Sequence, residues 1–595
     1  MSSHELARQA MARAENWAQK FAGCNTSVAC GSGVVHVSCA GHATAQSKEN
    51  VNGRIVTELH VDEEVIQLQQ LAEKQHRYGT VTIEILERLA ACVGKPQTQL
   101  VINPQGCPHL TLQDLARLRE RGWSVGGIGG GASQADSAGN NNQHATRVLK
   151  RCSQDRSHFQ KVEASVVMSP ASTEEVSRIM KVCFEHSIPV TPSGTRTGLE
   201  GGSLQILPGV MLDMSNMSQV LELMAEANLV RVQPGVEKLQ LNNWLKKYGL
   251  FFPVDPGSNA CVGGYASTGA SGTLSMRYGT MRDNVRTMVV VLSDGRVMKT
   301  RSLAVKSSVG YNLHQLLMGT EGTLGVITEL TLEVMKIPPA VMASRACFPT
   351  TRLVTEYVSK LLSSGLSNQL ARAELLNAQA MACVNKYDGT NYPIAPTLFL
   401  EFHGGNLTEV QLACDTASKI AASLGAKSFD STTDEKEINT MWQARRNALF
   451  AAFRARDDYE HKHRLKVFVS DVCVPPYELS NAVAETEKEF EEKKIHCPIA
   501  GHVGDGNFHC LIPYDPEDKS EAETVKALND RMVMRAIKAG GTASGEHGVG
   551  IGKMKFLEAE LGPVAMDIMR KIKHALDPKG ILNPYKVFTP LVCEH

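Results

Sequence analysis

The amino-acid sequence predicts a multidomain α/β protein, and three observations support that fold class. The chain has 595 residues, which is too long for a single hydrophobic core and indicates several domains. Hydrophobic residues make up 43% of it and aromatic residues 5%, as is typical of a soluble globular α/β protein. From about residue 155 onward, short strand patterns alternate with amphipathic helix patterns.

Charge and cysteine content narrow the possible functions. Lys and Arg together number 62, as do Asp and Glu, so nothing predicts nucleic-acid binding or electrostatic adhesion to membranes. No apolar run is long enough to span a bilayer. The 15 cysteines are scattered and form no Cys-x-x-Cys pair, which favours a reducing compartment and free thiols used as small hydrophobic residues.

Residues 1–125 predict a mainly helical N-terminal extension that carries no recognisable chemistry. Near its start, apolar side chains recur at helical spacing among basic residues, at Leu6, Ala10, Trp17 and Phe21. This stretch is either an amphipathic mitochondrial presequence or an ordinary first helix, because it also contains acidic residues, which transit peptides avoid. Three further short helices are predicted between residues 60 and 122.

A flexible linker is predicted over residues 126–154. The stretch from Gly126 to Asn142 is rich in glycine, alanine, serine and asparagine, which disfavour regular structure.

The region from residue 155 to 338 contains a possible phosphate-binding loop. Ser172 and Glu175 predict a capping box that opens a helix, and a strand follows at Ile188 to Val190. The glycine-rich loop of residues 192–202 comes directly after this strand, so its backbone N–H groups can turn toward phosphate oxygens. It matches neither the Gly-x-Gly-x-x-Gly nor the Walker pattern, and a merely flexible loop is the alternative.

Two more glycine-rich segments follow in the same region. Residues 254–258 run into residues 263–272, where closely spaced small side chains would let a flat ligand approach the backbone. Residues 321–328 form a third glycine-punctuated turn before a strand at Thr331 to Val334. Between these segments, Ser293-Asp294-Gly295 predicts a β-hairpin.

Residues 501–509 and 544–550 place three histidines and two acidic side chains in glycine-rich backbone. So many glycines disfavour a helix and favour strand ends and tight loops, where side chains can converge. His502, His509 and Glu546 form a possible N,N,O ligand set for a divalent metal with an open position, and His547 would be left free as a base. The alternative is a set of solvated loop histidines, and Asp505 is interpreted as a turn former.

These motifs occur in an order that resembles a known family. The matching motifs are Gly-Thr-x-Thr-Gly-Leu-Glu-Gly-Gly, Val-Asp-Pro-Gly, Thr-Gly-Ala-Ser-Gly, Arg-Tyr-Gly-Thr-Met-Arg-Asp-Asn and Gly-Thr-Glu-Gly-Thr-Leu-Gly. They resemble the flavin domain of the vanillyl-alcohol oxidase and p-cresol methylhydroxylase superfamily and, within it, the FAD-dependent D-lactate dehydrogenases. The resemblance runs from about Asp155 to Phe588 and leaves the N-terminal extension outside.

The resemblance implies an α+β fold with three parts. A two-subdomain FAD-binding domain of the vanillyl-alcohol oxidase type would span residues 155–338, and an α+β substrate and metal cap would span residues 339–570. Residues 571–595 would return to the flavin site.

FAD is the cofactor that the resemblance implies, bound non-covalently because residues 192–202 contain no histidine for attachment. Residues 194–202 would hold the pyrophosphate, and Ile327 would contact the adenine side. The flavin and ribityl chain would be lined by Pro256, Gly257, Thr268, Ser271 and Gly272. The cofactor-binding residues implied in this way are Pro192, Ser193, Gly194, Thr195, Arg196, Thr197, Gly198, Gly201, Gly202, Pro256, Gly257, Thr268, Gly269, Ser271, Gly272, Tyr278, Gly279, Glu321, Gly325, Ile327 and Asn583.

In the cap, the resemblance implies a substrate-binding arginine and a metal. Arg445 ends a Trp-x-x-Arg motif, and its guanidinium would bind the substrate carboxylate bidentately; a surface ion pair is the alternative. His502, His509 and Glu546 would bind Zn²⁺ or Mn²⁺, which would hold the substrate's 2-hydroxyl group. His547 would take the hydroxyl proton while the hydride passes to FAD.

The implied activity is oxidation of D-lactate, or a similar small D-2-hydroxy acid, to the 2-keto acid. Relatives that act on D-2-hydroxyglutarate carry Lys and Asn where this chain has Val469 and Leu511, so a distal carboxylate would lack those partners. A dehydrogenase for D-2-hydroxyglutarate or a longer-chain acid is the alternative. A metallohydrolase and an inactive flavoprotein scaffold are more remote ones.

The resemblance also implies partners and location. The electron acceptor would be cytochrome c, a quinone or an electron-transfer flavoprotein rather than O₂. Mitochondrial localisation is expected, with the cytoplasm as the alternative, and a homodimer is possible.

Overall fold

The structure is a computed structural model, and it describes residues 63–74, 78–107, 109–126, 139–159 and 162–589. The stretch of residues 6–21 that was considered as a presequence lies outside these residues, as do residues 127–138 of the predicted linker. Among the described residues, no helix is both long and apolar enough to cross a bilayer. The cysteines of the described part are free thiols, as the sequence predicts.

A five-stranded sheet forms the first layer of the nucleotide-binding half. Its strands are β1 (Leu100–Ile102), β2 (Ser124–Val125), β3 (Val166–Met168), β4 (Val190–Ser193) and β5 (Val210–Asp213). Their spatial order is β2-β1-β3-β5-β4, and all neighbours are parallel except β1 and β3. Helix Thr173–Glu185 connects β3 to β4 and buries the predicted face that contains Val176, Ile179, Met180 and Cys183.

Of the two hydrogen bonds that the predicted capping box requires at the start of that helix, the structure shows one. Ser172 Oγ accepts the Glu175 amide hydrogen at 3.3 Å, as a capping box requires. The Glu175 carboxylate instead accepts from the amides of Ala171 at 2.8 Å and Gly94 at 2.9 Å, and from Gln99 Nε2 at 2.9 Å. The carboxylate therefore ties residues 94–99 to the sheet rather than completing the cap.

The first sheet includes strands that precede residue 155, where the sequence predicts the FAD-binding domain to begin. β1 and β2 lie in this sheet, and the three helices predicted between residues 60 and 122 are present at Glu63–Lys74, Ile83–Ala90 and Leu112–Glu120. Leu86, Leu89, Leu115 and Leu118 share one hydrophobic core with Val166. The sequence signal for the family begins later than the packed domain does.

The predicted linker is helical over Gly139–Cys152. Ala145, Val148 and Cys152 recur at helical spacing and are buried against Val101 and Val167 of the sheet. Burial of this face outweighs the low helix propensity of the glycine and asparagines at its start.

A second five-stranded sheet is antiparallel throughout. Its strands are β6 (Val220–Met224), β7 (Leu229–Val232), β9 (Val285–Val291), β10 (Val297–Lys299) and β11 (Val326–Glu333), in the order β10-β9-β11-β7-β6. β8 (Leu250–Phe251) pairs separately with β12 (Met335–Lys336). The predicted hairpin at Ser293-Asp294-Gly295 joins β9 to β10, and Gly295 takes a φ of 84° there.

The cap is built on an eight-stranded sheet. Its strands are β13 (Ala340–Cys347), β14 (Leu370–Leu376), β15 (Thr397–Gly404), β16 (Ser428–Thr432), β17 (Lys466–Val469), β18 (Val472–Cys473), β19 (Ile499–Gly501) and β20 (Asn507–Tyr514). The order is β16-β13-β15-β14-β19-β20-β17, with β18 also paired to β20. The predicted α+β cap is thus confirmed as a mixed helix and sheet layer.

Helices surround the sheets of both halves. In the nucleotide-binding half the helices not yet given are Pro96–Gln99, Lys238–Leu245, Val262–Thr268, Ser275–Tyr278, Met281–Asn284 and Leu313–Leu317. In the cap and C-terminal part they are Thr351–Ser363, Ala378–Asp388, Leu407–Ser423, Glu435–Arg446, Ala448–Ala451, Leu479–Glu492, Lys519–Lys538 and Leu557–Leu576.

The C-terminal segment after residue 576 returns to the first sheet. The amide of Val190 in β4 donates to Ile581 O at 2.8 Å, and the amide of Asn583 donates to Val190 O at 2.7 Å. Asn583 Nδ2 also donates to Gly202 O and to Glu321 O. This segment therefore holds two of the glycine-rich loops against each other.

Candidate active site

A cavity of about 550 Å³ lies between the glycine-rich loops and the cap. This volume is in the range of sites for cofactors and other small molecules. One side consists of residues from loop 192–203, residues 256–273 and residues 321–327. The other side consists of cap residues, among them Arg445, His502, His509, Glu546 and His547. The glycine-rich loops of the nucleotide-binding half and the glycine-rich segments of residues 501–509 and 544–550 therefore face the same cavity.

Most of the predicted cofactor-binding residues line this cavity. They are Pro192, Ser193, Gly194, Thr195, Arg196, Thr197, Gly198, Gly202, Pro256, Gly257, Thr268, Glu321, Gly325 and Ile327. Two buried polar atoms of loop 192–202, Ser193 Oγ and Arg196 Nε, have no hydrogen-bond partner among the described residues. Because buried polar groups are normally paired, these two atoms fit a site whose partner is a bound ligand.

The loop is also held in shape from outside. Arg196 has a φ of 59°, and its guanidinium pairs with Asp213 at 3.0 Å. A Cβ on Gly194 would lie 2.3 Å from Cys261 Sγ, so a larger residue here would require the Cys261 side chain to move. The residues present therefore fit the phosphate-containing cofactor that the sequence predicts.

Seven predicted cofactor residues lie beside the cavity rather than in its lining. They are Gly201, Gly269, Ser271, Gly272, Tyr278, Gly279 and Asn583. Four of the glycines have positive φ and shape turns: Gly201, Gly269, Gly272 and Gly279. The Tyr278 hydroxyl lies 2.7 Å from His403 Nδ1 in the cap, and Ser271 Oγ donates to Glu546 Oε2 at 2.9 Å. Their direct contact with a cofactor stays a prediction.

The three predicted metal ligands converge. β19 and β20 are adjacent antiparallel strands joined by the turn Val503–Asp505, and this places His502 and His509 next to each other. Glu546 Oε1 lies 3.1 Å from His502 Nε2 and 3.3 Å from His509 Nε2. Two ligands at Zn–N and Zn–O bond lengths in a tetrahedral site would be about 3.4 Å apart. Asp505 belongs to the turn, as predicted, and does not join this group.

Hydrogen bonds to the opposite ring nitrogens orient both imidazoles. His509 Nδ1 donates to Ser470 O at 3.1 Å, so Nε2 is the nitrogen that can carry a lone pair. His502 Nδ1 lies 2.7 Å from Glu374 Oε1 and faces a carboxylate in the same way. Two Nε2 atoms and one carboxylate oxygen thus point at a common position, and this donor set fits a divalent cation.

The pKa shifts of His502 and Glu546 favour the charged forms of both side chains. Burial lowers the pKa of His502, but the carboxylates of Glu374 and Glu546 outweigh burial and raise it to about 10. Burial raises the pKa of Glu546, but His502 and His509 hold it well below its ordinary value. Glu374 and Glu546 thus favour positive charge at this position, which is also the charge that a divalent cation would supply.

Asp471 organises the loop that carries Glu546 and His547. It is fully buried, and its Oδ2 accepts the amide hydrogens of Glu546 at 2.9 Å and His547 at 3.0 Å and the hydroxyl of Ser544 at 2.8 Å. Its Oδ1 accepts from Asn507 Nδ2 at 2.7 Å. Asp471 is not among the site residues predicted from the sequence, although a strand that ends in an acidic residue just before a second short strand is a signal for such a role.

His547 is a largely buried imidazole with a lowered pKa. Burial lowers its pKa to about 4, against the opposing effect of Asp471. Its ring stacks on that of His509 with centroids 4.9 Å apart, and its buried Nδ1 lies 3.9 Å from Asp471 Oδ2. Nδ1 has no hydrogen-bond partner among the described residues. At neutral pH the imidazole is therefore uncharged and can accept a proton.

Arg445 lines the cavity together with the predicted metal ligands His502, His509 and Glu546. It lies near the end of helix Glu435–Arg446, and its Nε donates to Glu374 Oε2 at 2.8 Å. Glu374, in the middle of the cap sheet, is a residue that the sequence analysis missed. A single acidic residue in a mostly apolar strand indicates a paired, buried charge, but nothing in the sequence identifies its partners.

An apolar wall borders the same end of the cavity. It is formed by Leu449, Phe450, Val469, Ala500 and Leu511. Val469 and Leu511 are direct neighbours across β17 and β20. Arg446, next to Arg445, also lines the cavity.

Comparison with known proteins places the chain among flavoproteins. A model of the FAD-binding domain matches residues 164–301, and a model of the C-terminal domain of FAD-linked oxidases matches residues 337–587. A probable mitochondrial D-lactate dehydrogenase of Danio rerio is 40% identical over 71% of this chain and 84% of its own length. A mitochondrial D-lactate dehydrogenase (cytochrome) of Arabidopsis thaliana is 41% identical over 72% of this chain and 74% of its own.

Solved structures agree on the fold. p-Cresol methylhydroxylase with bound substrate superposes with a TM-score of 0.64 at 17% identity, over 86% of this chain and 98% of that one. 4-Ethylphenol oxidase from Gulosibacter chungangensis gives a TM-score of 0.63 over 85% of this chain and 97% of that one. The vanillyl-alcohol-oxidase-type fold that the sequence predicts is thus confirmed.

Proposed function

The chain belongs to the FAD-linked oxidase family of flavoprotein oxidoreductases, and from this premise we propose that it oxidises D-lactate to the 2-keto acid. The observation that carries this proposal is the convergence of Arg445, His502, His509, Glu546 and His547 at one end of the cavity. The cavity thus offers three groups that can act on the carboxylate or the hydroxyl of a 2-hydroxy acid: an anion-binding guanidinium, a cation site and a neutral base.

Arg445, His547 and the three metal ligands act on different parts of the substrate. The Nη atoms of Arg445 bind the substrate carboxylate. Nε2 of His547 accepts the hydroxyl proton, because Nδ1 is buried against Asp471. When bound, FAD supplies the acceptor for the hydride, and a Zn²⁺ or Mn²⁺ ion held by His502, His509 and Glu546 supplies positive charge that lowers the pKa of the hydroxyl.

The side chain of the substrate would meet the apolar wall. Val469 and Leu511 offer neither a cation nor an amide to a distal carboxylate, which favours a methyl or other small apolar group. Arg446 is the observation that keeps a longer or dicarboxylic D-2-hydroxy acid as the second candidate, because its guanidinium also reaches the cavity.

The test is the visible spectrum of the purified protein under anaerobic conditions. D-Lactate should bleach the oxidised flavin rapidly, whereas D-2-hydroxyglutarate should do so slowly or not at all. Exclusive bleaching by D-2-hydroxyglutarate would establish the second candidate instead. A colourless protein that releases no flavin would contradict both.

The electron acceptor is proposed to be cytochrome c, and the location to be mitochondrial. The relatives of A. thaliana and Saccharomyces cerevisiae are both named mitochondrial D-lactate dehydrogenases of the cytochrome type. Turnover with D-lactate should reduce cytochrome c faster than it reduces a soluble quinone or produces hydrogen peroxide. A fusion of residues 1–60 to a fluorescent protein should enter mitochondria, and a diffuse cytosolic signal would contradict the location.

A further inference from the structure

Glu374 connects the two groups that would hold opposite ends of the substrate. It lies in β14, and only 1% of its side chain is exposed. Oε1 lies 2.7 Å from Nδ1 of His502, and Oε2 accepts from Nε of Arg445 at 2.8 Å. Both carboxylate oxygens are thus used by side chains that line the cavity, although Glu374 itself does not line it.

The two contacts of Glu374 determine which nitrogen atoms of Arg445 and His502 remain available to face the cavity. On Arg445, the bond at Nε leaves the two Nη atoms as the fork for a carboxylate. On His502, the contact at Nδ1 leaves Nε2 facing Glu546 and His509. One buried carboxylate therefore sets both the rotation of the guanidinium and the direction of the imidazole.

We propose that Glu374 is a positioning residue that fixes the spacing between the carboxylate-binding fork of Arg445 and the cation-binding Nε2 of His502. The proposal rests on the proposed function. A 2-hydroxy acid presents its carboxylate and hydroxyl on adjacent carbons, so the two binding groups must be held at a fixed separation to engage both. Loss of Glu374 should therefore weaken substrate binding and cation binding together.

The cap offers a matched control in the same sheet. Glu401 in β15 is also buried, and it also joins a histidine to an arginine: Oε1 lies 2.7 Å from His403 Nε2, and Oε2 lies 3.5 Å from Arg372 Nη1. Among the described residues, Glu401, His403 and Arg372 do not line the cavity. Glu401→Gln thus removes an equivalent buried charge without touching Arg445 or His502.

The experiment compares Glu374→Gln, Glu374→Asp and Glu401→Gln as FAD-loaded proteins. Zinc affinity is measured by titration after chelation, flavin content by absorbance, and KM and kcat with D-lactate. Both Glu374 variants should raise the KM and the zinc dissociation constant at least about 10-fold, as loss of an outer-shell partner does in other metal sites. Flavin content should stay at the wild-type level. Glu401→Gln should leave KM and zinc affinity within about 2-fold, even if it lowers the melting temperature.

The readouts separate this proposal from the proposed function. Wild-type KM and zinc affinity in a folded Glu374 variant would overturn the proposal, and so would equal losses in Glu401→Gln. If Glu374→Gln does not fold, Glu374→Asp, which keeps the charge but shortens the reach, decides the matter. A wild-type protein that binds zinc yet leaves its flavin oxidised with D-lactate would overturn the proposed function, while the zinc titrations would still decide the role of Glu374.

Discussion

At the scale of single residues, His547 shows how environment selects one imidazole among three. His502 faces two carboxylates and has its pKa raised to about 10, whereas burial lowers the pKa of His547 to about 4. His509 lies between them with its Nδ1 on a backbone carbonyl. The lowered pKa keeps His547 uncharged at neutral pH, which suits the base role proposed for it.

Replacing His547 with Ala should slow flavin reduction strongly without removing the flavin. The base is lost, so the rate of bleaching by D-lactate should fall about 10²- to 10⁴-fold. The cavity residues around FAD are unchanged, so flavin content should not fall. Stopped-flow absorbance measures the rate, and His496→Ala at an exposed cap histidine is the control. Bleaching at the wild-type rate would remove His547 from the mechanism.

Some residues of the site could be predicted from the sequence and others could not. His502, His509, Glu546 and His547 could be singled out because glycine-rich loops concentrate them within two short segments. Glu374 could not, because it lies 128 positions before His502 in a strand that carries no glycine-rich motif. Only the pairing of β14 with β19 brings these two residues together.

At the scale of elements, the β19–turn–β20 unit is the part on which the ligand geometry depends. The turn ends at Gly506 with a φ of 80°, and a Cβ there would lie 2.1 Å from Val474 O. Both the backbone angle and the close approach require glycine. The positions of His502 and His509 depend on this turn.

Gly506→Ala should destabilise the protein and disturb its cation site together. The positive φ costs about 1 kcal/mol and the clash with backbone adds to it, so we expect a loss above about 2 kcal/mol. Gly425→Ala is the control, since Gly425 has a φ of 76° but open space around it, and it should lose only about 1 kcal/mol. Thermal unfolding and zinc titration measure the two effects. Equal losses in both variants would contradict the importance of the close approach.

Elements were predicted best where a periodic pattern was strong. The helix at Thr173–Glu185 and the hairpin at Ser293-Asp294-Gly295 follow from apolar spacing and turn residues. The helix Gly139–Cys152 was interpreted as a linker, because its asparagine-rich start hides the buried face at Ala145, Val148 and Cys152. Tertiary burial outweighed local composition there.

At the scale of the whole molecule, Asp255 joins the flavin half to the cap. Its carboxylate pairs with Lys238 in the flavin half and with Arg372 of the cap at 3.3 Å. Burial raises the pKa of Asp255, but Lys238 and Arg372 outweigh burial and lower it to about 2. A lowered pKa means that the carboxylate stabilises the fold above its unfolded pKa and loses this effect as pH falls toward 2.

Asp255→Asn should therefore cost most at neutral pH. From the lowered pKa we expect a loss of about 2 kcal/mol in unfolding free energy at pH 7. The difference from the wild type should shrink as pH falls below about 4, where the unfolded chain takes up the proton first. Urea unfolding at pH 7, 5 and 3 measures it. A difference that is constant across this range would show that the ion pair is not the source of the effect.

The first sheet extends further toward the N-terminus than the sequence motifs indicate. The motifs that carry the family resemblance begin after residue 155, whereas β1 and β2 contribute to the same sheet from residues 100–125. These two strands are too short to leave a periodic pattern. Their pairing is set by long-range contacts.

The position of β1 and β2 bears on how the protein can be shortened. A truncation that starts at residue 155 would remove both strands, leave one edge of β3 unpaired and uncover Val166 and Val176. Such an exposed apolar edge invites aggregation. A truncation at residue 60 keeps the strands and helix Glu63–Lys74, whose Val65 packs on Leu204 and Ile206. The longer fragment should be recovered from the supernatant of a bacterial lysate, and the shorter one from its pellet.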